Sequence, residues 1–179
     1  MSLVHKQQQS TFTTLKERFQ YTNKMQTPKV EKIVVSVGTG SVKDKKKLEV
    51  IQDRLAKVTG QKVSPRGAKK SIASFKLREG DTIGYQVTLR GTRMYDFLDR
   101  FIHISLPRSR DFKGINPESI DEMGNLTIGL SEHTIFPETP DEELKDIFGL
   151  SITIVTTAKT KEEAKTFLAH LGLPFKKES

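Results

Sequence analysis

Ile83-Gly84-Tyr85-Gln86-Val87-Thr88-Leu89-Arg90 alternates residue by residue between apolar and polar side chains. Successive side chains of a strand point to opposite sides. Ile83, Tyr85, Val87 and Leu89 therefore share one face, and Gly84, Gln86, Thr88 and Arg90 share the other. The first face needs a core. The second offers hydrogen bonds and positive charge, the pattern of a sheet covered on one side only.

Working outward, Lys69 to Lys76 reads as a partner strand. It joins Ile83–Arg90 around Arg78-Glu79-Gly80-Asp81, so the hairpin tip spans Lys76 to Ile83 with glycine where such loops usually need it. Beyond Arg90 the period changes. Met94, Phe97, Leu98, Phe101 and Ile102 predict a strongly amphipathic helix over Thr92 to Leu106, stopped by Pro107 and followed by a basic turn, Arg108-Ser109-Arg110. Upstream, Val30 to Val37 reads as a strand with Ile33, Val35 and Val37 on one face, and Lys43 to Thr59 as a helix striped by Leu48, Ile51, Leu55 and Val58 and stopped by Gly60. Leu15 and Phe19 predict a first helix over Thr11 to Tyr21. Strands are expected over Asn125 to Leu130 and Leu150 to Thr157. The last helix opens on Thr160 and Glu163 as a capping box and buries Ala164, Phe167, Leu168 and Leu171.

Two-faced strands beside amphipathic helices define an α+β class: one mainly antiparallel sheet backed by helices on one face, its other face polar and open. At 179 residues, with no repeat and no Gly-, Ser- or Pro-rich linker, the chain is expected to form a single domain over 1–179. It has no cysteine, which excludes disulfides and thiolate chemistry. No apolar run approaches the ~20 residues that cross a bilayer, and the amino terminus lacks a signal-peptide core, so no membrane partner is expected.

Charge is unevenly spread. The net charge is +8, but residues 1–93 hold 20 basic and 7 acidic residues and residues 94–179 hold 10 and 15. Such polarity fits a polyanion on one side. Arg66, Lys69, Lys70, Lys76 and Arg78 cluster along the expected hairpin beside Gln86, Thr88 and Arg90. The cations would meet phosphates, and Gln61, Ser71, Gln86 and Thr88 would read ribose hydroxyls or base edges. A merely wet sheet face with edge lysines is the competing explanation, and the alignment of Gln86, Thr88 and Arg90 on one face favours RNA. No exposed aromatic is evident on that face, which points to a folded RNA recognised by shape.

Catalytic chemistry finds no foothold. His5, His103, His133 and His170 lack metal-ligand spacing and read as isolated surface or boundary residues. Gly38-Thr39-Gly40-Ser41-Val42-Lys43 departs from the dinucleotide and P-loop patterns and reads as a tight turn. Glu138, Asp141, Glu142, Glu143 and Asp146 surround Thr139-Pro140, where acids in a first helical turn complement the helix dipole. No cofactor or metal is expected.

The stretch from Ala68-Lys69-Lys70-Ser71 to Glu79-Gly80, then Ile83-Gly84 and Val87-Thr88-Leu89-Arg90-Gly91, resembles the bacterial 5S-rRNA-binding family of the large ribosomal subunit. So do Arg93-Met94-Tyr95-Asp96-Phe97, Leu106-Pro107-Arg108-Ser109-Arg110, Ile135-Phe136-Pro137-Glu138, Thr156-Thr157-Ala158-Lys159, Leu173-Pro174-Phe175-Lys176, Pro28-Lys29-Val30-Glu31-Lys32-Ile33 and Thr59-Gly60-Gln61. These motifs occur in family order over nearly the whole chain. The resemblance implies a curved, RNA-recognition-like (ferredoxin-like) sandwich and a non-enzymatic role in the cytoplasmic ribosome, attaching 5S rRNA to the large-subunit rRNA in the central protuberance.

It implies 5S rRNA contacts at Gln61, Arg78 and Thr88, and at Ser36, where the family usually has asparagine; a hydroxyl offers less than an amide there. Val63 and Arg66 stand where proline and threonine are usual. The tip residues Lys76, Arg78, Glu79, Gly80 and Asp81 would reach P-site tRNA. Glu142, Glu143 and Asp146 would meet a basic protein of the small-subunit head. Two other classes compete: a small ferredoxin-like enzyme with a cationic pocket, and an RNA-binding regulator outside ribosomes.

Overall fold

The computed structural model describes residues 2–42, 44–110, 112–139 and 147–176. Among these residues it is an α+β fold with a five-stranded antiparallel sheet and four helices, as the alternating strands lead one to expect. The strands are β1 (Val30–Gly38), β2 (Ser64–Gly67), β3 (Thr82–Leu89), β4 (Leu126–Leu130) and β5 (Leu150–Thr156), ordered β2-β3-β1-β5-β4. Burial alternates along β1, β3 and β5: Ile33, Val35, Val37, Tyr85, Val87, Leu89, Ile152 and Ile154 are buried, while Val34, Ser36, Gln86, Thr88, Ser151 and Thr153 stay half-exposed. One face is core and the other is wet. The chain divides into two compact units, one of Met1–Ile33, Leu89–Ile128 and Thr153–Ser179, the other of Val34–Thr88 and Gly129–Ile152.

In the first unit, α1 runs Leu3–Phe19, starting well before the expected Thr11. Its buried stripe is Val4, Thr11 and Leu15, and a threonine inside it interrupts the apolar count. The Ser2 hydroxyl oxygen caps the helix by accepting from the His5 N–H at 3.3 Å. Gln8 ties three elements together, its Oε1 accepting from the Val30 N–H (3.1 Å) and its Nε2 donating to the Tyr95 hydroxyl (2.7 Å). The next helix, α3 (Gly91–Arg100), runs on through a π-turn at Phe101–Ser105 into a last turn, Leu106–Arg108. Pro107 thus sits at the start of that turn instead of ending the helix, because a first-turn residue needs no N–H. The expected stripe, Met94, Phe97, Leu98, Phe101 and Ile102, is buried throughout.

Helix α4 (Lys161–His170) is capped by Thr160, whose hydroxyl accepts from the Glu163 N–H at 3.2 Å. The other half of the expected capping box differs. The Glu163 carboxylate, nearly buried, accepts from the Lys159 N–H at 2.7 Å and from the Tyr21 hydroxyl, and so joins the end of α1 to the start of α4.

In the second unit, α2 (Lys45–Thr59) is capped by Asp44, which accepts from the Lys46 N–H at 3.0 Å; Ile51, Leu55, Val58 and Thr59 are buried, and Gly60 ends the helix as expected. The expected start, Lys43, lies outside the described residues. Strand β3 pairs antiparallel with β2, and the register sets Ser64 opposite Gln86 and Arg66 opposite Gly84. Lys69–Lys76 is therefore not the partner strand. The segment Ser64–Gly67 fills that place although it contains Pro65, which an edge strand tolerates because no ladder bond need start there. Gly84 is required by a close approach, since a Cβ there would stand 2.8 Å from the Val37 carbonyl oxygen.

The Tyr21–Glu163 bond makes an alkaline prediction. Burial first, then the hydrogen bond to Glu163 and its charge, holds the Tyr21 hydroxyl well above its ordinary pKa of 10.0. The unfolded chain releases this proton near pH 10 while the folded one keeps it, so this stabilisation is complete below pH 10 and declines above it. Tyr21→Phe should flatten that alkaline decline in urea titrations between neutral and strongly alkaline pH. It should also cost about 1–3 kcal/mol at pH 7 by leaving a buried carboxylate oxygen without its donor.

Candidate nucleic-acid interface

The polar side of the second unit is assembled by strand parity. In an antiparallel pair, directly opposed residues share a face. Ser64 therefore joins Gln86, and Arg66 stands beside Gly84, which has no side chain to compete for the space. Strand β1 lies next to β3 and contributes Ser36 on the side opposite buried Val35 and Val37. Gln86, Thr88 and Ser36 are half-exposed, while Arg66 is exposed.

Gln61, after α2, is more than a neighbour: its Nε2 donates to the Thr88 carbonyl oxygen at 3.2 Å. That bond holds the amide by its nitrogen and leaves its Oε1 with no use in the bond. The sequence placed Gln61 and Thr88 in one site but could not show them joined.

Residues 68–81 form the loop between β2 and β3, and its geometry corrects the expected hairpin. Gly80 and Asp81 sit at the base, not the tip. The Ala68 N–H donates to the Asp81 carbonyl (2.8 Å), and the Gly80 N–H donates to the Ala68 carbonyl (3.0 Å). The Asp81 carboxylate accepts from the Arg78 N–H at 2.8 Å, and the Ser71 hydroxyl oxygen from the Glu79 N–H at 2.9 Å. Thr82 and Ile83 already belong to β3.

The real tip is 72–77, where Ile72 and Leu77 bond to each other around the tight turn Ala73–Phe75, with Lys76 at φ +52°. Lysine there hid the turn, because the left-handed region usually announces itself by glycine. The tip exposes Phe75 at 69% and Ile72 at 44%. An exposed aromatic is thus present after all, on the loop instead of the sheet face.

Lys69, Lys70, Lys76 and Arg78 are exposed along this loop, and Arg66 on β2. Among the described residues none of these five is paired with a carboxylate, whereas Lys57 holds Asp53 at 2.8 Å. Arg90 is exposed at the start of α3, in the first unit. Glu142, Glu143 and Asp146 lie outside the described residues.

The remaining candidates are structural. His5 stacks near Tyr95, His103 faces Asp99 at 3.4 Å, and His170 meets the Gln7 carbonyl at 2.9 Å. His133, expected at a surface or boundary, is fully buried, stacked on Phe148 with its Nδ1 accepting the Phe148 N–H at 3.3 Å. The expected tight turn spans Thr39–Val42 after the end of β1 at Gly38, closed by the Val42 N–H on the Thr39 carbonyl at 2.9 Å.

A half-wet sheet presenting uncharged hydrogen-bonding groups, edged by cations that have no carboxylate partner among the described residues, is a surface of the kind that suits RNA. The ribosomal protein L5 profile matches residues 23–78, and the profile of the ribosomal L5 family C-terminus matches residues 82–175. The chain is 55% identical over 92% of its length to the large ribosomal subunit protein uL5 of Flavobacterium johnsoniae, covering 91% of that protein. It is 50% identical to that of a Thermoanaerobacter species, over 98% of each chain. The chain belongs to the ribosomal protein L5 family, and is a structural, non-enzymatic ribosomal protein.

The Gln61–Thr88 bond is open to test. Gln61→Leu should cost about 0.5–1.5 kcal/mol in urea unfolding, the usual net worth of one hydrogen bond. Amide exchange should quicken in β3 and in residues 60–63 but not in α4.

Proposed function

We propose that the polar sheet face of Ser36, Gln61, Gln86 and Thr88, together with Arg66, Lys69, Lys70, Ser71, Arg78 and Arg90, binds 5S rRNA and helps attach it to the large-subunit rRNA in the central protuberance. As a member of the L5 family the protein is an RNA-binding structural constituent of the large subunit of the cytoplasmic ribosome. The observation that carries the finer reading is the Gln61–Thr88 pair on a one-sided sheet. It sets an amide acceptor and a hydroxyl on residues joined by one bond, with cations in the same unit for phosphates. Exposed arginines and lysines give affinity, and the few uncharged groups give register and choice. Ser71 binds through a hydroxyl whose oxygen already accepts one bond, so it acts toward RNA as a donor. We take residues 1–179 to work as one RNA-binding domain; strands β1, β4 and β5 each contribute residues to both units, which supports that reading.

The test is a footprint of the full chain on a 5S rRNA transcript, with affinity followed across salt. Thr88→Ala should weaken binding several-fold, by about 0.5–1.5 kcal/mol, and lose protection at one place. Arg78→Ala should weaken it without moving the footprint and lower the salt slope by about 1. Failure to bind the transcript even in dilute salt would end the 5S assignment. Salt-sensitive binding to the transcript would exclude the small-enzyme alternative, and co-sedimentation with large subunits in high salt would exclude a free regulator.

The loop supports a contact with P-site tRNA, but through the tip at 72–77, with Lys76 there and Arg78, Glu79, Gly80 and Asp81 behind it as the rigid base. Phe75 offers a ring to a base or ribose, a contact worth about 1–3 kcal/mol when made. Glu142, Glu143 and Asp146 would face a basic small-subunit head protein, opposite charge steering the approach. In ribosomes carrying the variant chain, Phe75→Ser should weaken P-site tRNA without changing subunit joining. Neutralising the three acids should do the reverse, and the opposite pairing of effects would overturn both assignments.

A further inference from the structure

We propose that Ser71 is a phosphorylation site, and that a phosphate there draws Arg78 and the loop lysines onto itself and releases the loop from RNA. The regulatory half rests on the 5S reading given above; the modification itself does not. Ser71 directly follows Lys69 and Lys70, and no other serine or threonine of the chain directly follows two basic residues. Protein kinases choose their serines in part by such charge patterns, through acidic grooves that take up the neighbouring cations. The Ser71 side chain is exposed, as are Lys69, Lys70, Lys76 and Arg78. Ile72, the next residue, has extended backbone with φ −128° and ψ 109°, the shape in which a segment lies in a cleft. Ser74, the other hydroxyl of the loop, sits inside the Ala73–Phe75 turn and has no cation among the three residues before it.

The loop's own ladder decides what the phosphate meets. Ile72 and Leu77 exchange both backbone bonds, the Ile72 N–H donating to the Leu77 carbonyl at 3.1 Å and the Leu77 N–H to the Ile72 carbonyl at 3.2 Å. In an antiparallel ladder the next pair outward, Ser71 with Arg78, exchanges none, and side chains of such pairs lie closer together on one face. The Glu79 N–H already donates to the Ser71 oxygen at 2.9 Å and holds it against the opposite arm. In the transfer, that oxygen attacks the γ-phosphorus of ATP. The new O–P bond forms as the bond from that phosphorus to the bridging oxygen breaks, ADP leaves, and the hydroxyl proton passes to a base of the kinase. The ester carries about −1.5 to −2 charges at neutral pH. Arginine grips phosphate through two parallel bonds. The Asp81 carboxylate is occupied by the Arg78 N–H, and among the described residues the Arg78 guanidinium has no carboxylate of its own. Phosphorylation therefore takes from RNA one hydroxyl donor and one arginine, and sets a like charge against its backbone.

The test treats the full chain with ATP, magnesium and the catalytic subunit of a serine kinase that prefers basic substrates, and maps the phosphate by mass spectrometry. Phosphate is expected on Ser71, with S71A losing most of the incorporation and S74A keeping it. A chain that takes no phosphate at Ser71, or takes as much in S71A, overturns the proposal. The phosphorylated chain should bind a 5S transcript roughly tenfold or more weakly than the unmodified one, with a salt slope lower by about 2. Hydrogen exchange of the Glu79 amide should slow once the phosphate is in place, and R78Q should abolish that slowing, which separates a clasp by Arg78 from charge alone. Slowing that persists in R78Q would overturn the clasp. Equal 5S binding by the modified and unmodified chains would overturn the release and leave the 5S reading standing. If neither form binds 5S, that reading falls and the release falls with it, while the kinase and exchange arms still decide whether Ser71 is a site clasped by Arg78.

Discussion

Everything in the molecule follows from a sheet that is dry on one face and wet on the other. Side chains alternate with a period of two, so a register slip of one residue would bring Gln86 and Thr88 into the core and turn Tyr85, Val87 and Leu89 toward water. Burying several such apolar side chains contributes about 1.5–3 kcal/mol each, so the register is held strongly by the dry face. The wet face inherits that accuracy without stabilising anything itself. Its residues are free to be chosen for recognition, because the core already dictates where they stand. Gly84 tightens the constraint, since its bare backbone approaches Val37 too closely for any Cβ and sits level with Arg66 across the β2–β3 pair.

A second division of labour runs through the polar groups. Some are spent inside the protein: the Asp81 carboxylate on the Arg78 N–H, the Ser71 oxygen on the Glu79 N–H, and the Gln61 amide hydrogen on the Thr88 carbonyl. These bonds satisfy backbone that a loop would otherwise leave to water, and they rigidify the base from which the tip projects. What they leave over is what RNA could use: one amide acceptor, several hydroxyl donors and a row of cations with no carboxylate partner among the described residues. A surface arranged before binding loses less conformational freedom when it binds. The Asp81 carboxylate holds backbone in place, and the cations stay available.

The strands and the long helix were legible because burial imposes periods on them. Ile83–Leu89, Ile33–Val37 and the stripe from Met94 to Ile102 each carry an unbroken period, and each stands where the sequence put it. The errors fall where side-chain pattern and backbone geometry part company. Lys69–Lys76 alternates passably, yet the partner of β3 is Ser64–Gly67, an exposed four-residue edge with no apolar period to read. The turn at Lys76 has no glycine to mark it. Thr11 lies in the buried stripe of α1 and hid its first two turns. His133 is buried by a ring stack and a bond to backbone contributed from Phe148, and no local spacing encodes such a contact. Type and charge nominate the candidate site residues, but the Gln61–Thr88 bond joins segments separated by the whole β2–β3 loop, and only the folded chain brings them together.

Ser36 shows how far specificity can be spread over such a surface. An asparagine there would offer an acceptor and two donors in one plane, whereas a hydroxyl rotates and offers one donor at a time. Recognition that depended on this position alone would be blurred by the exchange. The neighbouring Gln61 amide is held by the Thr88 carbonyl, however, and cannot swing. An amide fixed by its own protein can set the register for the whole face, and a hydroxyl beside it need only accept whichever bond that register presents. Phosphate contacts from Arg66 and the loop lysines would add affinity without adding choice. If RNA binds this face, the Gln61–Thr88 pair, joined by a bond of the fold itself, would carry more of the choice than the freely rotating Ser36 hydroxyl.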